Sequence, residues 1–214
     1  MQHWMMEPDM EDMPTLETAR LTIRPFTMAD FQDAHRLFDI ELSSKDIHTE
    51  ELDTIDDREQ WLQWLVLNYV QLAKLNQPPY GDRAIILKSD GSLIGSCGYV
   101  PCLNPFEQMP NFGYYNPSCR QGRNTAEVGL FYAISPTHQR KGYASEAAQA
   151  LVDYGFQRLN LRRIIAATDD DNSASIGVMR KLGMVIERNP ENEPPWLQVV
   201  GVIERTNQVI DEYR

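Results

Sequence analysis

Apolar and polar positions along this chain change period several times, and each change marks an element. Leu21, Ile23 and Phe26 alternate with polar neighbours, the two-residue period of a half-buried strand that Pro25 ends. Thr27 or Asp30 can cap a helix running to about residue 40, where Phe31, Ala34, Leu37 and Phe38 recur at helical spacing. Asp56 opens a second helix with Leu62, Leu65, Val66, Tyr69, Leu72 and Ala73 on one face, stopped by Pro78 and Pro79. Trp61 and Trp64 on that helix fit either a core or the lining of a ligand mouth. Residues 83–88 and 93–100 form a hairpin around Ser89-Asp90-Gly91-Ser92.

Residues 101–124 break the pattern with Pro101, Pro105, Pro110 and Pro117 among Phe106, Phe112, Tyr114 and Tyr115. That is a loop too long for an ordinary hairpin, and long loops often carry function. It is the candidate lid on the acceptor side, with disorder or a homodimer contact as alternatives. An apolar run at 128–134 reads as a strand. The helix after it shows Ala144, Ala147, Ala148, Leu151, Val152 and Gly155 on one face. Residues 162–168 form a buried strand, Asn172 caps a short helix that Gly183 ends, and 184–187 and 197–205 give two closing strands. The order βααβββαβαββ implies an α/β fold, a mixed sheet with helices on both faces. Residues 1–15 read as a flexible tail and 16–214 as one domain.

The most informative stretch lies between the 128–134 strand and its helix: Ser135-Pro-Thr-His-Gln-Arg-Lys-Gly-Tyr-Ala-Ser-Glu-Ala147. A helix N-terminus offers unpaired N–H groups and the positive end of the helix dipole, so it holds anions. Gly142 lets backbone approach a ligand, Ala144 keeps the next turn small, and Arg140 and Lys141 add charge. Neither G-x-x-x-x-G-K-[ST] nor G-x-G-x-x-G occurs, so a nucleoside-triphosphate loop and a dinucleotide fingerprint are both absent.

What the residues do match is Gln139-x-x-Gly142-x-Ala144, which resembles the acyl-CoA pyrophosphate loop of the GNAT (general N-acetyltransferase) superfamily. Thr18-Ala-Arg-Leu-Thr-Ile-Arg-Pro25 followed by Asp30 resembles the opening strand and helix of its ribosomal-protein N-terminal acetyltransferase branch. Ala126-Glu-Val-Gly129 is similar to that branch's central strand. Asp171-Asn-Ser-Ala-Ser175 and Arg180-Lys-Leu-Gly-Met184 are similar to its last helix and following turn. Together these blocks cover roughly residues 16–206. The resemblance implies a mostly antiparallel sheet and an acetyl-CoA-dependent N-acetyltransferase. Gln139, Arg140, Lys141, Gly142, Tyr143, Ala144 and Ser145 would hold the donor's pyrophosphate. Tyr132, Ala133 and Ile134 would give backbone groups to the pantetheine arm and the developing oxyanion, and Asn172 and Ser175 would contact the CoA arm. For Asn172 and Ser175 helix capping is the plainer alternative.

Glu127 is the candidate base, a carboxylate in an apolar strand that needs a reason to be there. A structural pairing with Arg123 or Arg163 is the competing account. Glu146, just inside the helix, is read as stabilising its terminus. Many superfamily members carry a Tyr acid four residues before the last helix's glycine. Here that position is Met179, which donates no proton; Ser175 is the candidate substitute and Tyr143 a weaker one. A thiol with a pKa of ~8.5 leaves tolerably as thiolate, and an α-amine near ~8 is partly neutral where a Lys amine near ~10.4 is not. An N-terminal α-amine or a small-molecule amine is therefore the favoured acceptor. A non-catalytic acyl-CoA sensor of the same fold is the alternative.

Composition narrows the setting. The chain of 214 residues carries a net charge of −11, and all of it falls in residues 1–60, where 16 Asp and Glu face 5 Lys and Arg. This excess is either solvated surface or an acidic mouth that attracts amines and repels nucleic acid. No apolar stretch approaches the ~20 residues of a membrane span. Cys97, Cys102 and Cys119 are odd in number and lack metal-ligand spacing, so no metal and a reduced, cytoplasmic setting are expected.

Overall fold

The alternation at the first strand is realised in the computed structural model of the chain, which describes residues 14–42, 54–112, 123–191 and 193–205. In β2 (Leu21–Pro25) both Leu21 and Ile23 are fully buried. It pairs with β1 (Leu16–Glu17), a two-residue strand too short to leave a period in the sequence. The first helix, α1, covers Phe31–His35 and continues as a π-helical segment, Arg36–Glu41. α2 is Ile55–Lys74. Its cap is Thr54 rather than Asp56: the Thr54 hydroxyl accepts from the Asp57 N–H (3.2 Å) while Asp57 accepts from the Thr54 N–H (2.9 Å). The third helical position, here Asp57, is the one from which a side-chain oxygen reaches back in this way.

β3 (Gly81–Leu87) and β4 (Leu93–Asn104) form the expected hairpin. β5 (Thr125–Ile134), α3 (Tyr143–Gln157), β6 (Arg163–Thr168), α4 (Ser173–Lys181), β7 (Val185–Arg188) and β8 (Val199–Glu204) follow. The eight strands hydrogen-bond in the order β1-β2-β3-β4-β5-β6-β8-β7. β5 and β6 pair in parallel, registering Gly129 with Ile165, whereas β1–β2, β2–β3, β3–β4, β6–β8 and β7–β8 pair antiparallel. The fold is thus mixed α/β on a mostly antiparallel sheet, as the element order and the family resemblance implied.

The chain divides into two compact units, one drawn from Met1–Val100 and Phe131–Ala150, the other from Pro101–Leu130 and Leu151–Arg214. In the first, Phe26, Ala34, Leu37, Phe38, Leu62, Leu65 and Tyr69 pack with Ala84 and Leu93, so the buried faces of α1 and α2 meet residues of β3 and β4. In the second, Phe106, Met109 and Phe112 bury against Ile165, Leu197, Val200 and Val202.

That second core corrects the first half of the segment read as a long loop, residues 101–112. Residues 101–104 are the end of β4, and the rings of Phe106 and Phe112 stack at 5.0 Å as part of the interior. The prolines hid the strand end, and large apolar side chains bury when a partner surface is at hand. Residues 113–122 of that segment lie outside the described residues, as do the acids of 1–13 and 43–53 and Cys119. Among the described residues no helix is long and apolar enough to cross a membrane.

Candidate active site

The basic turn folds as its sequence suggested. Pro136–His138 make a short 3-10 turn after β5, and the Gln139 side-chain amide donates back to the Ile134 carbonyl (3.0 Å). Lys141 does likewise to the Thr137 carbonyl (3.0 Å). Arg140 and Gly142 both take positive φ, +60° and +85°. This is the left-handed region that only glycine enters without cost, so the arginine is held there by its surroundings. The first helical bond of α3 runs from the Glu146 N–H to the Gly142 carbonyl (3.1 Å). The N–H groups of Gly142, Tyr143, Ala144 and Ser145 therefore have no acceptor within the helix. The Ser145 hydroxyl is buried and has no partner among the described residues. A turn with these free donors, flanked by the exposed Arg140 and Lys141, fits a pyrophosphate.

One residue of this turn escaped the sequence reading. Arg20 donates through Nε to Glu146 Oε2 (2.6 Å), through its backbone N–H to Oε1 (2.9 Å), and through Nη1 to the Lys141 carbonyl (2.9 Å). Its guanidinium also lies 4.5 Å above the centre of the Tyr143 ring. Thr18 adds a hydroxyl bond to Glu146 (2.6 Å). Glu146 does stabilise the helix terminus, through partners 126 and 128 residues away. Burial would raise its carboxyl, but these donors outweigh burial and hold it below the usual carboxylate range. An arginine in the bend before β2 carries no local signal that it will brace a distant turn.

Glu127 adopts the pairing that was its competing account. Its carboxylate accepts from both sides of the Arg163 guanidinium, at 2.9 Å from Nε and through a second bond from Nη2. The guanidinium lies 4.5 Å from the centre of the Phe112 ring, and Glu204 approaches its outer edge at 3.4 Å. Arg123, the other named partner, bonds Glu107 instead.

Asn172 caps α4 through its side-chain oxygen, which accepts from the Ser175 N–H (3.0 Å). Gly183, at φ +78°, ends the helix as expected. Met179 is wholly buried, and a Cβ placed on Gly201 of β8 would stand 2.9 Å from its sulfur. At this position the side chain packs the core.

A second carboxylate was also missed. Asp82, on β3, keeps partial access to solvent and accepts from the fully buried Ser96 hydroxyl of β4 (3.0 Å). Burial pushes its carboxyl up to about 6, against the Ser96 bond and the charge of Arg58, which both pull it down. The signal was its phase: Asp82 alternates with Ala84 and Ile86, which pack against the α1–α2 core. Arg83 beside it is charged too and is itself buried, so both faces of the strand are covered and the period alone did not single out Asp82.

The acids of α1 are largely committed. Asp39 holds Arg58 (2.6 Å) and His35 (2.7 Å), Asp30 holds Arg24 (2.7 Å), and Asp33 and Glu41 share Arg36. Among the described residues no group of His, Cys, Asp and Glu could hold a metal ion.

A model of the acetyltransferase (GNAT) domain matches residues 20–185. Over 192 residues, 89% of this chain and 94% of the relative, the chain is 30% identical to the uncharacterized protein YkkB of Bacillus subtilis. Over a shorter 63 residues it is 51% identical to the uncharacterized N-acetyltransferase YnaD of the same organism, covering 29% of this chain and 36% of that one. Among solved structures, an acetyltransferase from Agrobacterium tumefaciens superposes with a TM-score of 0.64 at 25% identity, over 90% of this chain and 95% of that one. A ribosomal L7/L12 alpha-N-protein acetyltransferase in complex with coenzyme A superposes with a TM-score of 0.56 at 17% identity, over 90% and 97%.

Proposed function

The chain belongs to the acetyltransferase (GNAT) domain family and is an N-acetyltransferase; from that premise we propose that it moves the acetyl group of acetyl-CoA to a protein N-terminal α-amine or a small-molecule amine. The observation that carries the donor side is the N-terminus of α3. Four backbone N–H groups and the buried Ser145 hydroxyl stand at a turn fixed by Gly142 and braced by Arg20. Gln139, Arg140, Lys141, Gly142, Tyr143, Ala144 and Ser145 would hold the pyrophosphate there. Tyr132, Ala133 and Ile134 would align the pantetheine arm, and Asn172 and Ser175 would touch it. Bound acetyl-CoA supplies an activated acyl carbon with a thiolate leaving group. The chain would orient the two substrates, take the acceptor amine's proton and donate to the developing oxyanion.

The preference for an α-amine or small amine rests on Met179. Packed in the core, it offers no proton to a leaving sulfur, so the site suits acceptors that are already partly neutral at cellular pH. Glu127 remains the base named from the sequence, but both its oxygens are occupied by Arg163, and an amine would have to compete for a lone pair. A cytoplasmic setting belongs to the same reading, on the odd number of cysteines.

The test is thiol release from acetyl-CoA against peptides beginning with Ser, Ala or Met, a Lys peptide, spermidine and an aminoglycoside, with Glu127→Gln alongside wild type. Release with an α-amine or small amine, and little with the Lys peptide, is the expected result. Acetyl-CoA binding without release on the whole panel would favour the sensor reading. Equal release by Glu127→Gln would remove Glu127 from the chemistry.

A further inference from the structure

Asp82 sits in the first unit among groups that explain neither its charge nor its place. Directly across the hairpin from it is Gly98, which presents no side chain. A Cβ added at Gly98 would meet the Phe131 ring of β5 at 2.8 Å. Four residues earlier on β4, the Ile94 carbonyl accepts from the Ser135 N–H (2.8 Å). Ser96, the hydrogen-bond partner of Asp82, lies between Ile94 and Gly98 and so borders Tyr132–Ile134, the stretch assigned to the thioester end of the donor. The Asp82–Ser96 pair therefore points along the sheet toward the place where the acyl carbon is expected.

The charges around Asp82 leave it available. Arg58, from α2, is its nearest electrostatic influence, but that guanidinium is forked onto Asp39 of α1 (Nη2 to Oδ1, 2.6 Å) and stacked on Phe38 and Trp61. His35 of α1 is on the same Asp39. Tyr69 of α2 bonds the Asp82 backbone carbonyl rather than its carboxylate, and the Cys97 thiol of β4 is pushed up by burial. Arg83, next in β3, lies over the Tyr69 ring at 5.1 Å. Among the described residues no cation pairs with the Asp82 carboxylate. A buried carboxylate without a cation is unfavourable unless a ligand supplies one.

Resting on the acetyltransferase reading above, and in place of Glu127, whose two oxygens Arg163 holds, the geometry points to Asp82, positioned by Ser96, as the group that receives the acceptor's ammonium and takes its proton. The step balances simply. One N–H bond of the ammonium breaks and its proton goes to an Asp82 oxygen, later passing to solvent. The freed nitrogen lone pair forms the N–C bond as the C–S electron pair leaves on sulfur. The second proton, lost from nitrogen after attack, ends on the CoA sulfur. A base whose pKa lies near the working pH suits this role better than an ordinary carboxylate.

The experiment combines carboxyl NMR with kinetics on the full chain. Protein carrying 13C-carboxyl aspartate is titrated as wild type and Asp82→Asn, alone and with each amine of the panel. The expected result is one carboxyl titrating near pH 6 that is missing from Asp82→Asn and moves to lower pH when an acceptor amine binds. Asp82→Asn, which keeps the Ser96 bond, is expected to lose about 100-fold in kcat with acetyl-CoA affinity unchanged. Ser96→Ala should move the acidic limb of the kcat/KM profile to higher pH, since it removes a bond that favours the charged form. Turnover of Asp82→Asn equal to wild type, or a titration that no amine shifts, overturns the inference. Failure of wild type to bind acetyl-CoA overturns the acetyltransferase reading instead, and the amine titration still judges Asp82.

Discussion

Two carboxylates, one on β5 and one on β3, show how much a single residue's surroundings decide. Glu127 was legible from its isolation in an apolar strand, yet its partner, Arg163, lies 36 residues away, and only the fold could show that the fork forms. Asp82 was not legible, because Asp82 and Arg83 put a charge on both faces of the strand. Its position also has a stability consequence whose sign is fixed. A carboxyl raised from 3.8 to about 6 penalises the folded state above pH 6, where both states are ionised, by about 3 kcal/mol. The penalty disappears as pH falls toward 3.8, where both are neutral. Asp82→Asn should therefore unfold at a higher urea concentration than wild type at pH 8, with the two midpoints converging near pH 4. A variant less stable at pH 8 would show that Asp82 does structural work there.

At the scale of elements, the patterns that survived translation into structure are those with enough residues to set a period. α2, the β3–β4 hairpin, β5 and α3 were all readable, down to the glycine turn before α3. What was lost lies at ends: the two residues of β1, the π-helical close of α1, and the strand end of β4 behind its prolines. The brace on the turn was also lost, since Arg20 acts from the bend before β2. Its consequence is specific. Arg20→Ala removes two side-chain bonds, to Glu146 and to the Lys141 carbonyl, and frees the turn that presents the donor-binding N–H groups. Bonds to charged groups are worth about 1.5–3 kcal/mol, so KM for acetyl-CoA should rise about tenfold or more. Because no reacting atom is touched, kcat at saturation should stay within about threefold. A lowered kcat with unchanged KM would assign Arg20 to the acceptor side instead.

Across the whole molecule, the acidic excess of the first 60 residues is less available than its count suggests. Among the described acids there, Asp30 resists burial through Arg24, Asp39 through Arg58, and Glu41 through the Ser135 hydroxyl and then Arg36, and all three carboxyls are held below their ordinary values. Glu146 behaves in the same way. For lowered carboxyls the stabilisation is complete above the unfolded pKa and is lost as pH falls through the folded one. The urea midpoint should therefore fall steeply only below about pH 4. Between pH 6 and 4 it should rise as Asp82 takes up its proton and its penalty of about 3 kcal/mol is relieved, a rise that Asp82→Asn lacks. A midpoint that declines steadily from pH 7 would contradict these assignments. Net charge could be read from the sequence. Which acids were already paired could not, because their partners come from other elements.

The brace between Arg20 and Glu146 also sets an order of events in time. Its two ends are separated by 126 residues, and contacts of such long range form late, after the local turns and helices are in place. At a synthesis rate of ~5–20 residues per second, Arg20 waits roughly 6–25 s before Glu146 exists at all. Through that interval the chain can hold its early hairpins and helices without being able to hold acetyl-CoA, so competence to bind the donor would report the completion of folding.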